Sequence, residues 1–259
     1  MKLSKILCGV LASVMALSFA GCNNSDGGDL DAAVKPKSDD SSKLVMATNA
    51  EFPPYEYRDG ENIVGIDVEI AQSIADDLGL ELVVEHMEFD SIIEAVKSGK
   101  ADIGVAALTI EEDRLADVNF SDPYTTSAQV VIIKSETAID FPGDLVGKKV
   151  GVQLGTTGAE YAGDIEDAVV EEYNKGNEAV QALADGKVDA VIIDREPAKV
   201  FVSQIGGLSI LDEEFTLEDY AIAVSKDNDE LLGKINASLE NLKSSGKLKE
   251  IIDKYISAE

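Results

Sequence analysis

From Leu44 onward, short apolar strands alternate with amphipathic helices, and this rhythm restricts the chain to an α/β fold. Leu44 to Thr48 reads as a strand. Val68, Ile70, Ala71, Ile74, Ala75 and Leu78 share one face of a helix over Asp67 to Leu78, which Gly79 stops. Leu80 to Glu85 is a second strand. A helix capped by Asp90 carries Ile92, Ile93, Ala95 and Val96 and ends at Gly99, and Asp102 to Ala106 predicts a buried strand. Such a succession implies a mainly parallel sheet with helices on its faces and ligand sites at the carboxyl ends of its strands.

The pattern recurs. Ala95-Val96-Lys97-Ser98-Gly99-Lys100-Ala101-Asp102 matches Ala182-Leu183-Ala184-Asp185-Gly186-Lys187-Val188-Asp189, each a helix that ends at glycine before a strand begins near aspartate. Two similar lobes are expected. Two extended apolar runs can join them: Val130 to Lys134, after Thr125-Thr126-Ser127, and Tyr220 to Ser225, after Asp212-Glu213-Glu214. The chain then enters the second lobe at the first run and returns at the second. Residues 43–130 form the first part of lobe one, 131–221 lobe two, and 222–259 complete lobe one with helices over Asp229 to Lys243 and Lys247 to Tyr255. The two crossing strands would act as a hinge.

Charge and composition narrow the function. Fifty acidic residues oppose 22 basic ones, a formal charge of −28, which repels phosphate backbones and argues against nucleic acid as a partner. His86, Cys8 and Cys22 are too few for a His/Cys zinc site or a disulfide framework, and no metal or cofactor is expected. Glu111-Glu112-Asp113 and Asp212-Glu213-Glu214 read as solvated faces without EF-hand spacing, and His86 as a surface or packing residue.

The first residues read as an export signal. Lys2 and Lys5 precede a mostly apolar run from Ile6 to Ala20, too short to span a bilayer. Leu17-Ser18-Phe19-Ala20-Gly21-Cys22 resembles a bacterial lipobox, with Phe19 where leucine is usual, and implies cleavage after residue 21 and a lipid on Cys22. Residues 22–42 are polar and read as a flexible tether. The expectation is a monomeric domain anchored to the extracytoplasmic face of a cell membrane.

Eight segments in order resemble the amino-acid-binding solute receptors of ABC importers, extracellular solute-binding protein family 3, over about Leu44 to Tyr255. They are Ala50 to Glu56, Val64 to Val68, Phe89 to Ile93, Ser98 to Asp102, Leu108 to Arg114, Phe120 to Tyr124, Gly147 to Thr157 and Val188 to Asp194. The resemblance implies a two-lobe, periplasmic-binding-protein-like (type II) fold, an amino-acid ligand and an ABC permease as partner. It implies no enzyme activity.

An α-amino acid carries a carboxylate and an ammonium, so its receptor needs a fixed cation and a fixed anion. Arg114, just beyond the strand 102–106, has a fork suited to a carboxylate; neutralising a surface acid is its other reading. By resemblance, Thr109 gives its amide to the ligand carboxylate and its hydroxyl to the ammonium. The glycines of Gly151 to Gly158 form neither a dinucleotide fingerprint nor a Walker loop, leaving a helix N-terminus that favours an anion. The resemblance puts a carboxylate contact at Thr157, which could equally be a helix cap, with Thr156 beside it. Asp194 ends an apolar strand and by resemblance holds the ammonium, helix capping being its alternative. Phe52 and Phe89 are candidate walls, Phe89 alternatively core.

Specificity rests on Asn49, Ala107 and Gln153. Asn49 stands where many relatives carry an acid, Ala106 and Ala107 where they carry Ser or Gly, and Gln153 offers a neutral amide. Glu51 and Glu88 could restore an acid or be solvated. A polar or basic L-amino acid is the expected ligand. Two alternatives stand beside it: a cyclohexadienyl or arogenate dehydratase on the same scaffold, which would need a general acid in the cleft where only Asp194 is placed by motif, and an amino-acid sensor domain.

Overall fold

The computed structural model describes residues 41–256. The expected signal, tether and lipidated Cys22 lie outside the described residues, apart from Ser41 and Ser42. Elements run β1 (Lys43–Thr48), β2 (Glu51–Phe52), β3 (Glu56–Asp59), β4 (Asn62–Val64), α1 (Ile66–Leu78), β5 (Glu81–His86), α2 (Ile92–Lys97) and β6 (Ile103–Gly104). There follow α3 (Glu112–Asp117), β7 (Val118–Phe120), β8 (Thr125–Lys134), β9 (Lys149–Gln153), α4 (Thr157–Gly163), β10 (Val169–Tyr173) and α5 (Gly176–Ala184). The last are β11 (Ala190–Asp194), α6 (Arg195–Gln204), β12 (Leu208–Ile210), β13 (Thr216–Tyr220), β14 (Ala223–Ser225), α7 (Asp229–Ser244) and α8 (Lys247–Tyr255).

Two sheets carry the molecule, in the orders β5-β1-β6-β14-β7 and β10-β9-β11-β8-β12, with β13 also paired to β8. Each is mixed where a mainly parallel sheet was expected. Three parallel strands, β5-β1-β6 and β10-β9-β11, form one side of each, and the remaining pairings are antiparallel. The reason is connectivity: β8 and β14 each enter a sheet from the other lobe and meet its parallel core running the opposite way.

The sequence repeat is a structural repeat. Gly99 and Gly186 adopt φ of 75° and 76°, the left-handed turn glycine supplies without a Cβ clash. The aspartate three residues later then ties the corner to the first strand of its own sheet. Asp102 Oδ2 accepts from the Val45 amide at 2.8 Å, and Asp189 Oδ2 from the Lys149 amide at 2.9 Å. Two other local expectations change. The buried strand near Asp102 shortens to Ile103–Gly104, and Asp90 sits in a 3-10 turn over Phe89–Ser91 and does not cap a helix; α2 begins after Ser91, with no side-chain cap.

The connections between sheets run side by side. Ser121 and Tyr124 amides donate to Ile222 and Tyr220 carbonyls, and the Ala221 amide to the Leu108 carbonyl, at 2.9 to 3.0 Å. Helices α7 and α8 return to pack on α1, where Ile235, Leu239, Leu248 and Ile251 join Ile70, Ile74 and Met46 in one buried cluster. Each buried aliphatic side chain there contributes about 1.5–3 kcal/mol. No helix among the described residues is long and apolar enough to cross a membrane.

Candidate functional site

The carboxyl ends of β1, β6, β9 and β11 converge on one cavity between the lobes. All ten residues expected at the site line it, together with Glu56, which was not expected. The cavity is closed down to about 20 Å³, room for one or two waters. A larger occupant therefore requires the lobes to part.

Arg114, on α3, reaches the cavity with its fork already engaged. Its Nη1 donates to the Thr109 carbonyl at 2.9 Å, its Nη2 to the Gly155 carbonyl at 3.1 Å, and its Nε pairs with Glu111 at 3.0 Å. The guanidinium also sits 5.6 Å from the Phe89 ring centre, so this aromatic is a cation–π partner as well as a wall. The fork suited to a carboxylate is thus partly engaged: one N–H on each terminal nitrogen remains, and Gly155 belongs to the opposite lobe. Glu111, read as solvated, is corrected. It is mostly buried against Arg114, and burial, opposed by the Arg114 charge, pushes its carboxyl up to about 7.

Ala107 and Thr109 lie in the loop after β6. Ala107 takes φ of 47°, a left-handed conformation that costs a non-glycine residue about 1–2 kcal/mol, and its amide is held by Asp67 Oδ2 at 2.7 Å. The Thr109 hydroxyl donates to Glu218 Oε2 at 2.9 Å. Its oxygen is thereby left as an acceptor, the polarity an ammonium needs.

From the second lobe, Thr156 caps α4: its Oγ1 accepts from the Ala159 amide at 3.3 Å and donates to the Gln153 carbonyl at 2.8 Å. Thr157 opens that helix and gives its hydroxyl to Glu218 at 3.1 Å. The cap is therefore Thr156, and Thr157 does not serve as one. Asp194 occupies the cap position of α6 yet makes no capping bond. Its Oδ1 accepts from the Tyr220 hydroxyl instead. Burial and then the nearby Glu218 charge push Asp194 up to about 8, against a smaller pull from Arg114.

The far end of the cavity is neutral. Asn49 Nδ2 donates to the Met87 carbonyl at 2.7 Å, which turns its Oδ1 toward Gln153 Nε2 at 3.3 Å; that nitrogen also donates to the Asn174 carbonyl at 3.2 Å. Both amide oxygens are left as acceptors. Phe52 lies against Tyr55, ring centres 6.3 Å apart. Glu51 is neither a site acid nor solvated: it pairs with Lys175 of the opposite lobe at 2.9 Å. His86 Nδ1 accepts from the Ala50 amide at 3.1 Å, and burial, then the Arg58 charge, lowers its pKa.

Two buried glutamates escaped sequence reasoning. Glu218, on β13, is a hub for Thr109, Thr157 and Gln129 through Oε2 and for the Tyr161 hydroxyl through Oε1, all within 3.1 Å. Its neighbour Leu217 is 65% exposed while Glu218 is 4% exposed, the reverse of ordinary strand patterning, so nothing in the segment marks it. Glu56 is fully buried, and no described group donates to either carboxyl oxygen. Its only signal was a place inside the Ala50 to Glu56 segment.

With this geometry in view, comparison with known proteins is decisive. The model of bacterial extracellular solute-binding proteins, family 3, matches residues 44–258. The chain belongs to that family. The arginine-binding extracellular protein ArtP of Bacillus subtilis is 31% identical over 99% of this chain and 100% of its own length. Among solved structures, an ancestral arginine-binding protein superposes with TM-score 0.79 in its arginine-bound form and 0.78 in its glutamine-bound form. Both are 40% identical, over 83% and 84% of this chain and 99% of theirs. The ancestral amino-acid-binding protein AncCDT-1, a precursor of cyclohexadienyl dehydratase, gives 0.76 at 31% identity over 83% of this chain and 95% of its own. The fold of this family 3 member is accordingly the two-lobe type II arrangement, and membership places it outside the cytoplasm.

Proposed function

We propose that this family 3 protein captures a polar or basic L-amino acid in the interlobe cleft and delivers it to an ABC permease. One observation carries the reading: Arg114 from the first lobe and Asp194 from the second line the same cavity. The ligand carboxylate takes the remaining Arg114 N–H groups and the start of α4 at Thr156 and Thr157. The ammonium meets Asp194 and the Thr109 oxygen, and the side chain runs between Phe52 and Phe89 toward the Asn49 and Gln153 acceptors. Those acceptors favour a donor-bearing side chain such as glutamine or arginine, in keeping with the arginine-bound and glutamine-bound forms of the ancestral neighbour. An acidic side chain finds no second cation in the lining.

The lobes open at the paired connections, admit the ligand and close through contacts already present, Arg114 to Gly155 and Lys175 to Glu51. A ligand of about ten heavy atoms at roughly 0.8–1 kcal/mol each gives about 8–10 kcal/mol, micromolar or tighter. Anchorage by lipidated Cys22, a tether over 22–42, the lobe boundaries at about 130 and 221 and a monomeric state belong to the same proposal. A thermal-shift screen against the twenty amino acids tests it. A true ligand at 100 times its dissociation constant adds about 2.7 kcal/mol; a flat response across the set overturns the reading.

One observation favours a second reading, a dehydratase on this scaffold. The cleft holds a further acid, Glu56, where sequence motifs placed only Asp194. Incubation with arogenate or prephenate distinguishes the two, since a binding protein yields no aromatic product.

A further inference from the structure

We propose that Glu56 is a further ligand-contacting residue, a buried carboxylic acid that surrenders its proton when the ligand ammonium enters and then shares that cation with Asp194. The inference rests on the amino-acid-binding reading above. Its ground is an unusual side chain. Glu56 opens β3, is wholly buried, lines the cavity, and has two oxygens to which no hydroxyl, amide or cation among the described residues donates. A buried carboxylate in that condition carries the full cost of desolvation. It can be relieved in two ways: by holding a proton, or by meeting a cation.

The groups facing Glu56 decide which form the empty cleft holds. Asp67 from α1 lies within hydrogen-bond reach, so a protonated Glu56 donates to its carboxylate, and Asp194 from β11 adds to the local negative charge. The Tyr124 hydroxyl, between β7 and β8, donates to both Asp67 oxygens at 2.9 Å, and the Ala107 amide donates to Oδ2. Asp67 therefore already has the donors that stabilise its anion, and Glu56 is the member left with the proton. Burial, followed by the Asp67 charge, raises the Glu56 pKa well above the ordinary range. The one cation in the lining, Arg114, is committed to Glu111, Thr109 and Gly155.

Ligand entry reverses the balance. The zwitterion brings an ammonium into the cavity, Glu56 and Asp194 ionise, and their protons pass to the buffer. Capture is then coupled to proton release, and the cleft discriminates against any ligand lacking a positive amine.

The test is calorimetric titration of L-arginine and L-glutamine at pH 7 in buffers of contrasting ionisation enthalpy, which reads protons released per ligand. The parent should release more than one proton, and Glu56→Gln about one fewer. Equal release by the two proteins overturns the proposal while leaving amino-acid binding intact; failure of every amino acid to bind the parent overturns the underlying reading instead. Should Glu56→Gln not fold, infrared difference spectra of the parent, labelled with carbon-13 at the glutamate side-chain carboxyl, decide the matter. Loss of a protonated glutamic acid band on loading supports the proposal. Glu111 would move the other way, because sharing Arg114 with a ligand carboxylate favours its protonation. No loss of such a band overturns it.

Discussion

Replacing Asp194 with asparagine should make the empty protein more stable while abolishing ligand response. Asp194 is buried at the end of β11 with Glu218 near it, and its carboxyl is raised from 3.8 to about 8. In the unfolded chain it ionises near its ordinary value, so between about pH 4 and 8 the folded state holds a proton the unfolded state has lost. Stability from this group therefore falls as pH rises through that window and levels off above about 8. At pH 7 the difference amounts to the order of 4 kcal/mol. Asparagine keeps an oxygen for the Tyr220 hydroxyl and never carries charge. At roughly 2–4 °C per kcal/mol for a domain of this size, the unliganded variant should melt about 10 °C higher at pH 7 and lose the share of the pH dependence that belongs to Asp194, Glu111 and Glu56 keeping theirs. Melting curves at pH 5, 7 and 9, with and without millimolar arginine or glutamine, provide the assay. A variant that melts lower than the parent at pH 7, or still gains stability from the amino acid, would refute the reasoning.

Other expectations follow from the same geometry. Arg114→Ala removes charge-assisted bonds worth about 1.5–3 kcal/mol each, so affinity measured by calorimetry should drop at least about 100-fold. Affinity of the parent should rise with pH up to about 8, because Asp194 alone contributes close to tenfold per unit below its pKa, and a flat profile from pH 6 to 8 contradicts this. Glu218→Gln should cost about 1–3 kcal/mol in chemical denaturation, since one amide oxygen cannot serve every donor that the carboxylate satisfies. Lys175→Met removes an interlobe ion pair worth about 0.5–1 kcal/mol, so small-angle scattering should show a larger unliganded radius, restored by ligand.

The lobes and the corners of the fold were legible because they follow local rules. The helix over Asp67 to Leu78 appears as Ile66–Leu78, and the paired Gly99 and Gly186 corners do in structure what their matching sequences suggest. Sheet direction was not legible, because β8 and β14 owe their antiparallel pairing to where the chain has come from and not to their own residues. The ten expected cavity residues gather in one place, yet their bonding was hidden. That the Arg114 fork would be spent on Thr109, Gly155 and Glu111 depends on the approach of two distant segments. Glu56 and Glu218 were missed for a related reason. In a chain this acidic a glutamate on a strand reads as solvent-facing, and only tertiary packing reveals the two that are buried.

The most direct measurement is a crystal structure of the protein grown with L-arginine or L-glutamine. One amino acid should lie between the lobes, its carboxylate within hydrogen-bond distance of Arg114 and its ammonium likewise from Asp194. A ligand touching only one of these two side chains, or seated outside the cleft, would contradict the account.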